Sequence, residues 1–249
     1  MSALVLALLA GAVIGLALGA LGGGGSVLAV PALIYLLGFN PAAATSAALV
    51  IVAVTSATAL YAHARDGAVA WRSGALFAAA GIVPALLAGS AAGRLSDAVL
   101  TVAFAAVAAL AALRMLRPSE AGPPDRISPA RAAGAGAGLG AVTGLLGVGG
   151  GFLAVPALVS VLGLRMERAV GTSLLVITVN SLVALTARTG TGEELRWEVI
   201  APFAGAAVLA AWDGKRLAAK ITGGTLRRIF AALLLVVAAL MLADALLRA

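Results

Sequence analysis

A chain of 249 residues that is 62% hydrophobic and 11% charged cannot hide its apolar side chains in a water-surrounded core, because soluble domains devote about a quarter of their residues to charge. The net charge of +7 comes without any basic run interleaved with aromatics, so it speaks for the cytoplasmic loops of a membrane protein rather than for a nucleic-acid partner. With no Cys and a single His, disulfides, thiolate redox sites and soft-metal sites are excluded.

The long apolar runs have helical length and lack the alternation of barrel strands, so the expected fold is an all-α integral membrane protein. Met1 to Leu9 carries no basic residue and reads as a mature first helix, not a signal peptide. The first apolar helix covers residues 3–20, with Gly11, Gly15 and Gly19 forming a small-residue seam for close packing. Glycines 22–25 break it, and a short helix is expected from about Ser26 to Leu37, with Pro31 inside it. Residues 41–62 form a span rich in hydroxyls: Thr45, Ser46, Thr55, Ser56 and Thr58. A polar loop with His63, Arg65, Asp66 and Gly67 follows, with His63 read as an interfacial loop residue. Spans at about 72–92 and 97–116 complete a first membrane repeat, 1–117.

Residues 118–128 are a Pro-rich charged linker, and a second repeat, 129–249, restates the plan. Gly19 to Leu33 recurs as Gly144 to Leu158, offset by 125 residues with 11 of 15 positions identical. Gly136, Gly140 and Gly144 match the first seam. The second break lies at 147–151, followed by a short helix from about Phe152 to Leu162. The next span, about 167–188, carries Thr172, Ser173, Thr178, Asn180 and Ser181, of which Asn180-Ser181 aligns with Thr55-Ser56. Spans at about 198–212 and 225–247 close the chain, separated by a basic connection in which Asp213 reads as a cap beside Lys215 and Arg216.

Charge placement indicates how the halves are oriented. If each interrupted helix makes one crossing, the halves are parallel and the basic residues divide almost evenly. If each interrupted pair enters and returns, the halves are inverted repeats. Only Arg94, Arg188, Arg196 and Arg248 of the 17 basic residues then lie on one side, which is the asymmetry of the positive-inside rule. Length agrees: residues 3–37 as one helix would run roughly 50 Å, against a hydrocarbon core of roughly 30 Å. The expected fold is therefore two homologous halves, inverted, each an interrupted Gly-rich helix plus three spanning helices. Both termini are then extracytoplasmic.

Broken helices at matching places in the two halves are the sequence pointer to a transporter's binding site. A helix that begins inside the membrane presents unpaired N–H groups and a positive dipole end, which suits an anion. The candidate substrate-binding residues are Gly22, Gly24, Gly25 and Ser26 at the first break and Gly147, Gly149, Gly150 and Gly151 at the second. Thr55, Ser56, Thr172, Ser173, Asn180 and Ser181 on the spans that follow are the candidate side-chain donors. No carboxylate lies in the middle of a span, which argues against a cation as cargo and against a buried proton relay. Proton coupling is allowed, but no residue demands it. The glycine clusters lack the following Lys-Ser/Thr of a phosphate loop and the preceding strand of a dinucleotide fingerprint. No catalytic or metal-ligand constellation is present, so neither enzyme activity nor a cofactor is expected.

Gly22-Gly-Gly-Gly-Ser-Val-Leu-Ala-Val-Pro31, Gly147-Val-Gly-Gly-Gly-Phe-Leu-Ala-Val-Pro156, Val170-Gly-Thr-Ser-Leu174, Asn180-Ser181 and the His63 to Gly67 turn leading into Trp71 together resemble the TauE/SafE family of membrane permeases, the sulfite exporters. The resemblance covers essentially the whole chain. It implies a secondary carrier in the bacterial cytoplasmic (inner) membrane that moves sulfite, sulfoacetate and related organosulfur anions. One departure is visible. The first half reads Thr45-Ser-Ala-Ala-Leu49 where Gly-Thr-Ser-Leu is expected, which makes Thr45 and Ser46 weaker candidates than Thr172 and Ser173. Two alternatives stay open at this stage: an anion channel of the same fold, and a non-transporting membrane assembly partner. The small-residue seams could also serve a homodimer.

Overall fold

The computed structural model describes residues 2–92, 97–116, 128–145, 151–188 and 196–248. The second glycine break at Gly147, Gly149 and Gly150 and the linker at 118–127 lie outside the described residues. The described residues form ten α-helices: α1 (Ser2–Leu21), α2 (Gly24–Pro31), α3 (Pro41–Arg65), α4 (Trp71–Ala92), α5 (Asp97–Leu116), α6 (Pro129–Leu145), α7 (Gly151–Ser160), α8 (Met166–Arg188), α9 (Trp197–Ala219) and α10 (Gly223–Arg248). Five of them, α1, α3, α4, α8 and α10, are long and apolar enough to cross a membrane. Side chains such as Leu209, Leu87 and Leu240 stand 74%, 67% and 65% exposed. These exposed leucines suit hydrocarbon rather than water as the surrounding solvent, and the chain is a multi-pass membrane protein.

Without a hydrophobic force between helices in lipid, packing depends on how closely backbones approach. The glycine seams serve that purpose across the two halves. Gly11, Gly15 and Gly19 of α1 lie against the backbone of Phe203, Ala207 and Ala211 of α9, and Gly136, Gly140 and Gly144 of α6 against Phe77, Gly81 and Ala85 of α4. In both pairs residue numbers rise together, so the paired helices run parallel. Both seams are therefore filled within the chain and are not free to join a second copy. In contrast, α3 and α8 run antiparallel. The hydroxyls of Ser56 and Thr178 meet at 2.9 Å, while nearer the other end of the crossing the Ala70 amide donates to Thr172 Oγ1 at 3.0 Å. Two apolar cores result, one around Phe77, Phe104, Phe152 and Phe230, the other around Ile14, Leu18, Ile51 and Phe203.

Local chemistry sets the element ends. The Asn40 side chain accepts from the Ala43 amide at 2.7 Å, with Pro41 in the first turn of α3, a cap and a proline each at its favoured position. Gly38 and Gly163, an offset of 125 apart, both have φ near +65° and close the short helices in the same way. Phe39 N donates to Leu33 O and Leu164 N to Leu158 O, each bond reaching back six residues around the glycine, one more than in the Schellman turn.

Three boundaries differ from expectation. The short helix of the first half begins at Gly24, not Ser26, and after Pro31 it widens into a π-helical turn, Ala32–Leu36. Proline supplies no N–H and its ring crowds the preceding turn, so regular α-bonding ends there. Helix α3 runs through His63 to Arg65, so His63 is a buried helical residue and not a loop residue. Helix α9 continues to Ala219, so Asp213, Lys215 and Arg216 sit on its last turns, where cations complement the negative helix end.

Candidate functional site

The first break is a helix stop followed at once by a helix start. Gly22 takes φ +65°, a left-handed conformation that glycine adopts without strain, and its amide closes α1 on Leu18 O at 2.8 Å. The chain turns back, and Gly25 faces α1: a Cβ there would lie 2.6 Å from Leu18 Cβ and 2.7 Å from Ile14 O. Gly25 is thus the hinge-side contact of an α1–α2 hairpin. Gly24 opens α2 beside it.

The two breaks meet. A Cβ on Gly23 would collide with the Gly151 carbonyl oxygen, and one on Gly151 would lie 2.6 Å from Ser26 Oγ and 3.0 Å from Ile177 Cγ1. Ser26 and Gly151 are equivalent positions in the two halves and touch each other. Gly22 in turn abuts Ser173 Oγ and lies near Val170 O. On α8, residues 173, 177 and 181 recur every fourth position and share a face. Ser173 touches the first break, Ile177 touches Gly151, and Ser181 is the next residue along.

The candidate donors fall into two groups. Several are already engaged. Ser26 Oγ donates to Gly23 O at 2.8 Å, Thr55 Oγ1 to Ile51 O at 2.7 Å, Ser56 Oγ to Ala53 O at 3.2 Å and Ser173 Oγ to Val170 O at 2.7 Å. Such bonds to the preceding turn are the ordinary fate of hydroxyls in membrane helices. Thr172 secures the start of α4 through the Ala70 amide. Asn180 and Ser181 differ: among the described residues neither has a hydrogen-bond partner. Asn180 is half-buried and Ser181 buried. Asn180 stands one turn along α8 from Ile177, the residue that touches Gly151, and an amide in a membrane span is costly to leave unpaired.

A cavity of about 350 Å³ approaches this region from one end of the bundle. Its walls include His63, Asp66, Arg165, Glu167 and Lys215 at the mouth, with Ala20 and Val170 deeper, beside Gly22. Lys215 bridges the mouth. It pairs with Asp66 at 2.6 Å and donates to Ala62 O at 2.5 Å, tying α9 to the end of α3. That hydrogen bond from Lys215 holds the exposed Asp66 carboxyl below its ordinary pKa of 3.8. Any stability the pair adds is therefore present above pH 3.8 and lost as pH falls through the lowered value. Asp213, two residues before Lys215, makes an exposed contact with Arg216 at 3.4 Å. Sequence reading passed over this mouth because its charges come from three separate turns. Only the fold joins 63–66, 165–167 and 215. Among the described residues no cluster of His, Cys, Asp or Glu could hold a metal.

A helical membrane protein that brings a broken helix from each half together at its centre, beneath a charged cavity, has the build of a membrane transporter. The chain belongs to the TauE/SafE sulfite exporter family, whose model, described as "Sulfite exporter TauE/SafE", matches residues 7–241. Two curated relatives, from Xylella fastidiosa strains Temecula1 and 9a5c, are both named "Probable membrane transporter protein". Each is 33% identical over 245 residues, spanning 94% of this chain and 93% of its own.

Proposed function

We propose that this chain is a secondary transporter that exports small organosulfur anions, such as sulfite or sulfoacetate, across the bacterial cytoplasmic membrane by alternating access. The observation that carries this reading is the contact of the two breaks, Gly23 on Gly151 and Ser26 on Gly151. Helix starts and hydroxyls converge there, and no carboxylate joins them among the described residues. Amide dipoles and neutral donors bind an anion without a fixed cation. Export follows from the sign of the cargo, since an anion leaving the cell moves down the inside-negative potential, worth about 2.3 kcal/mol per charge per 100 mV. The sulfur rests on the family's description; a small cargo fits a cavity of about 350 Å³.

Inverted halves suit this mechanism, because one set of elements can rock against the other around a fixed site. Two observations support the inversion: α3 and α8, equivalent at the 125-residue offset, run antiparallel, and α1 runs parallel to α9, the counterpart of α4. Both termini then face outward. A cysteine placed at Ser119 or Thr222 of this cysteine-free chain should resist an impermeant maleimide in intact cells, and labelling at either would exclude that orientation.

The cargo is tested by thermal unfolding of the purified protein with sulfite, thiosulfate, sulfoacetate, sulfolactate and matched carboxylates. A ligand at about 100 times its Kd stabilises the native state by about 2.7 kcal/mol. A rise in Tm with sulfur anions alone is the expected result; a response confined to carboxylates would keep the architecture and overturn the cargo.

A further inference from the structure

A second cavity, of about 260 Å³, lies beside the first, between the turn joining α7 to α8 and the start of α10. Arg165 and Arg227 stand in its wall with Gly163, Gly223 and Gly224. Neither arginine has an ion-pair or hydrogen-bond partner among the described residues. The Nε of Arg227 is fully buried and lacks an acceptor. A buried guanidinium N–H without an acceptor is costly and rare enough to call for an occupant. Glu167 is the nearest acid in sequence, but it faces the neighbouring cavity and comes within ion-pair distance of neither.

The position of the cavity narrows what that occupant is. It sits where the apolar span Gly223–Ala243 begins, the end at which a crossing helix would meet lipid headgroups. The flanking side chains Val161 and Ile229 are 47% and 43% exposed on the same turns. Two unpaired guanidinium groups offer forked donors that match phosphate oxygens, and the apolar flanks offer a surface for acyl chains. Basic pockets between membrane helices at an interface bind acidic lipid headgroups. We infer that this cavity is a binding site for the phosphate of an anionic phospholipid, held by Arg165 and Arg227 and separate from the cargo site. Arg165 also borders the mouth of the larger cavity, so a lipid seated here would fix one wall of the proposed entry route.

The test uses the full-length protein in detergent with phosphatidylglycerol, with phosphatidylcholine and with inorganic phosphate, read by native mass spectrometry and thermal unfolding. Phosphatidylglycerol should be retained and raise Tm, while phosphatidylcholine does neither. Arg227→Gln should weaken retention roughly tenfold, as expected for one lost charge-assisted bond. Arg165→Gln, on an exposed turn where folding is not at risk, should do the same. Arg227→Lys should retain more lipid than Arg227→Gln, and Arg228→Gln, outside the cavity wall, should match wild type. Undiminished phosphatidylglycerol binding in both glutamine variants would overturn the site. So would a response to inorganic phosphate equal to that for the lipid, which would make it a site for soluble anions.

Discussion

At the scale of single residues, glycines that look alike in the sequence have opposite duties. Gly136 and Gly138 are two positions apart on α6. A Cβ on Gly136 would collide with the Phe77 carbonyl, whereas one on Gly138 meets nothing within 4 Å. Gly136→Ala should therefore destabilise the protein by about 1–3 kcal/mol, the usual cost of overpacking. Gly138→Ala should leave stability unchanged or raise it by up to about 1 kcal/mol. Thermal unfolding of the two variants in one detergent checks the contrast. The hydroxyls divide in a similar way. Ser26, Thr55, Ser56 and Ser173 bond to their own helices, so replacing them mixes folding with function. Asn180 has no such bond, so its replacement breaks no hydrogen bond among the described residues. Composition and spacing marked all five as polar groups in apolar spans. Which of them were already bonded depended on rotamers and neighbours that the sequence does not encode locally.

At the scale of elements, the first interruption was legible because a run of four glycines readily admits the positive φ that Gly22 adopts and so stops a helix; proline alone does not, since Pro84, Pro156 and Pro202 lie inside α4, α7 and α9. The seams of Gly11, Gly15 and Gly19 and of Gly136, Gly140 and Gly144 were equally plain as packing surfaces, but not their partners. Those lie in the opposite half, on α9 and α4, beyond the reach of any local pattern. The last turns of α9 were misjudged because Asp213, Lys215 and Arg216 resemble a loop by charge, while the alanines around them keep the helix going. The contact of α2 with α7 has a direct check. Cysteines at positions 26 and 151 would have Cβ atoms about 3.3 Å apart, near the span of a disulfide. The double variant Ser26→Cys/Gly151→Cys should cross-link under mild oxidation, halt transport and recover it on reduction. Transport that continues through full cross-linking would show that the breaks need not move against each other.

At the scale of the whole molecule, the duplicated chain folds into two interlocked halves. Each lends its first helix to the other, α1 to α9 and α6 to α4, while α3 crosses α8 between them. The breaks meet at the centre because the duplication places each at the same point of its half. The ion pair at the charged mouth is not repeated in the sequence: the residues 125 positions from Lys215 and Asp66 are Ser90 and Thr191. The central claim, that the joined breaks and Asn180 form an anion site used for transport, is tested most directly by flux of labelled sulfoacetate in proteoliposomes. Wild-type protein should carry it, and Asn180→Ala should cut the rate at least about tenfold, the value of one lost charge-assisted bond, with unfolding temperature unchanged. Equal flux in the two proteins, or no flux of any sulfur anion by the wild type, would contradict the account.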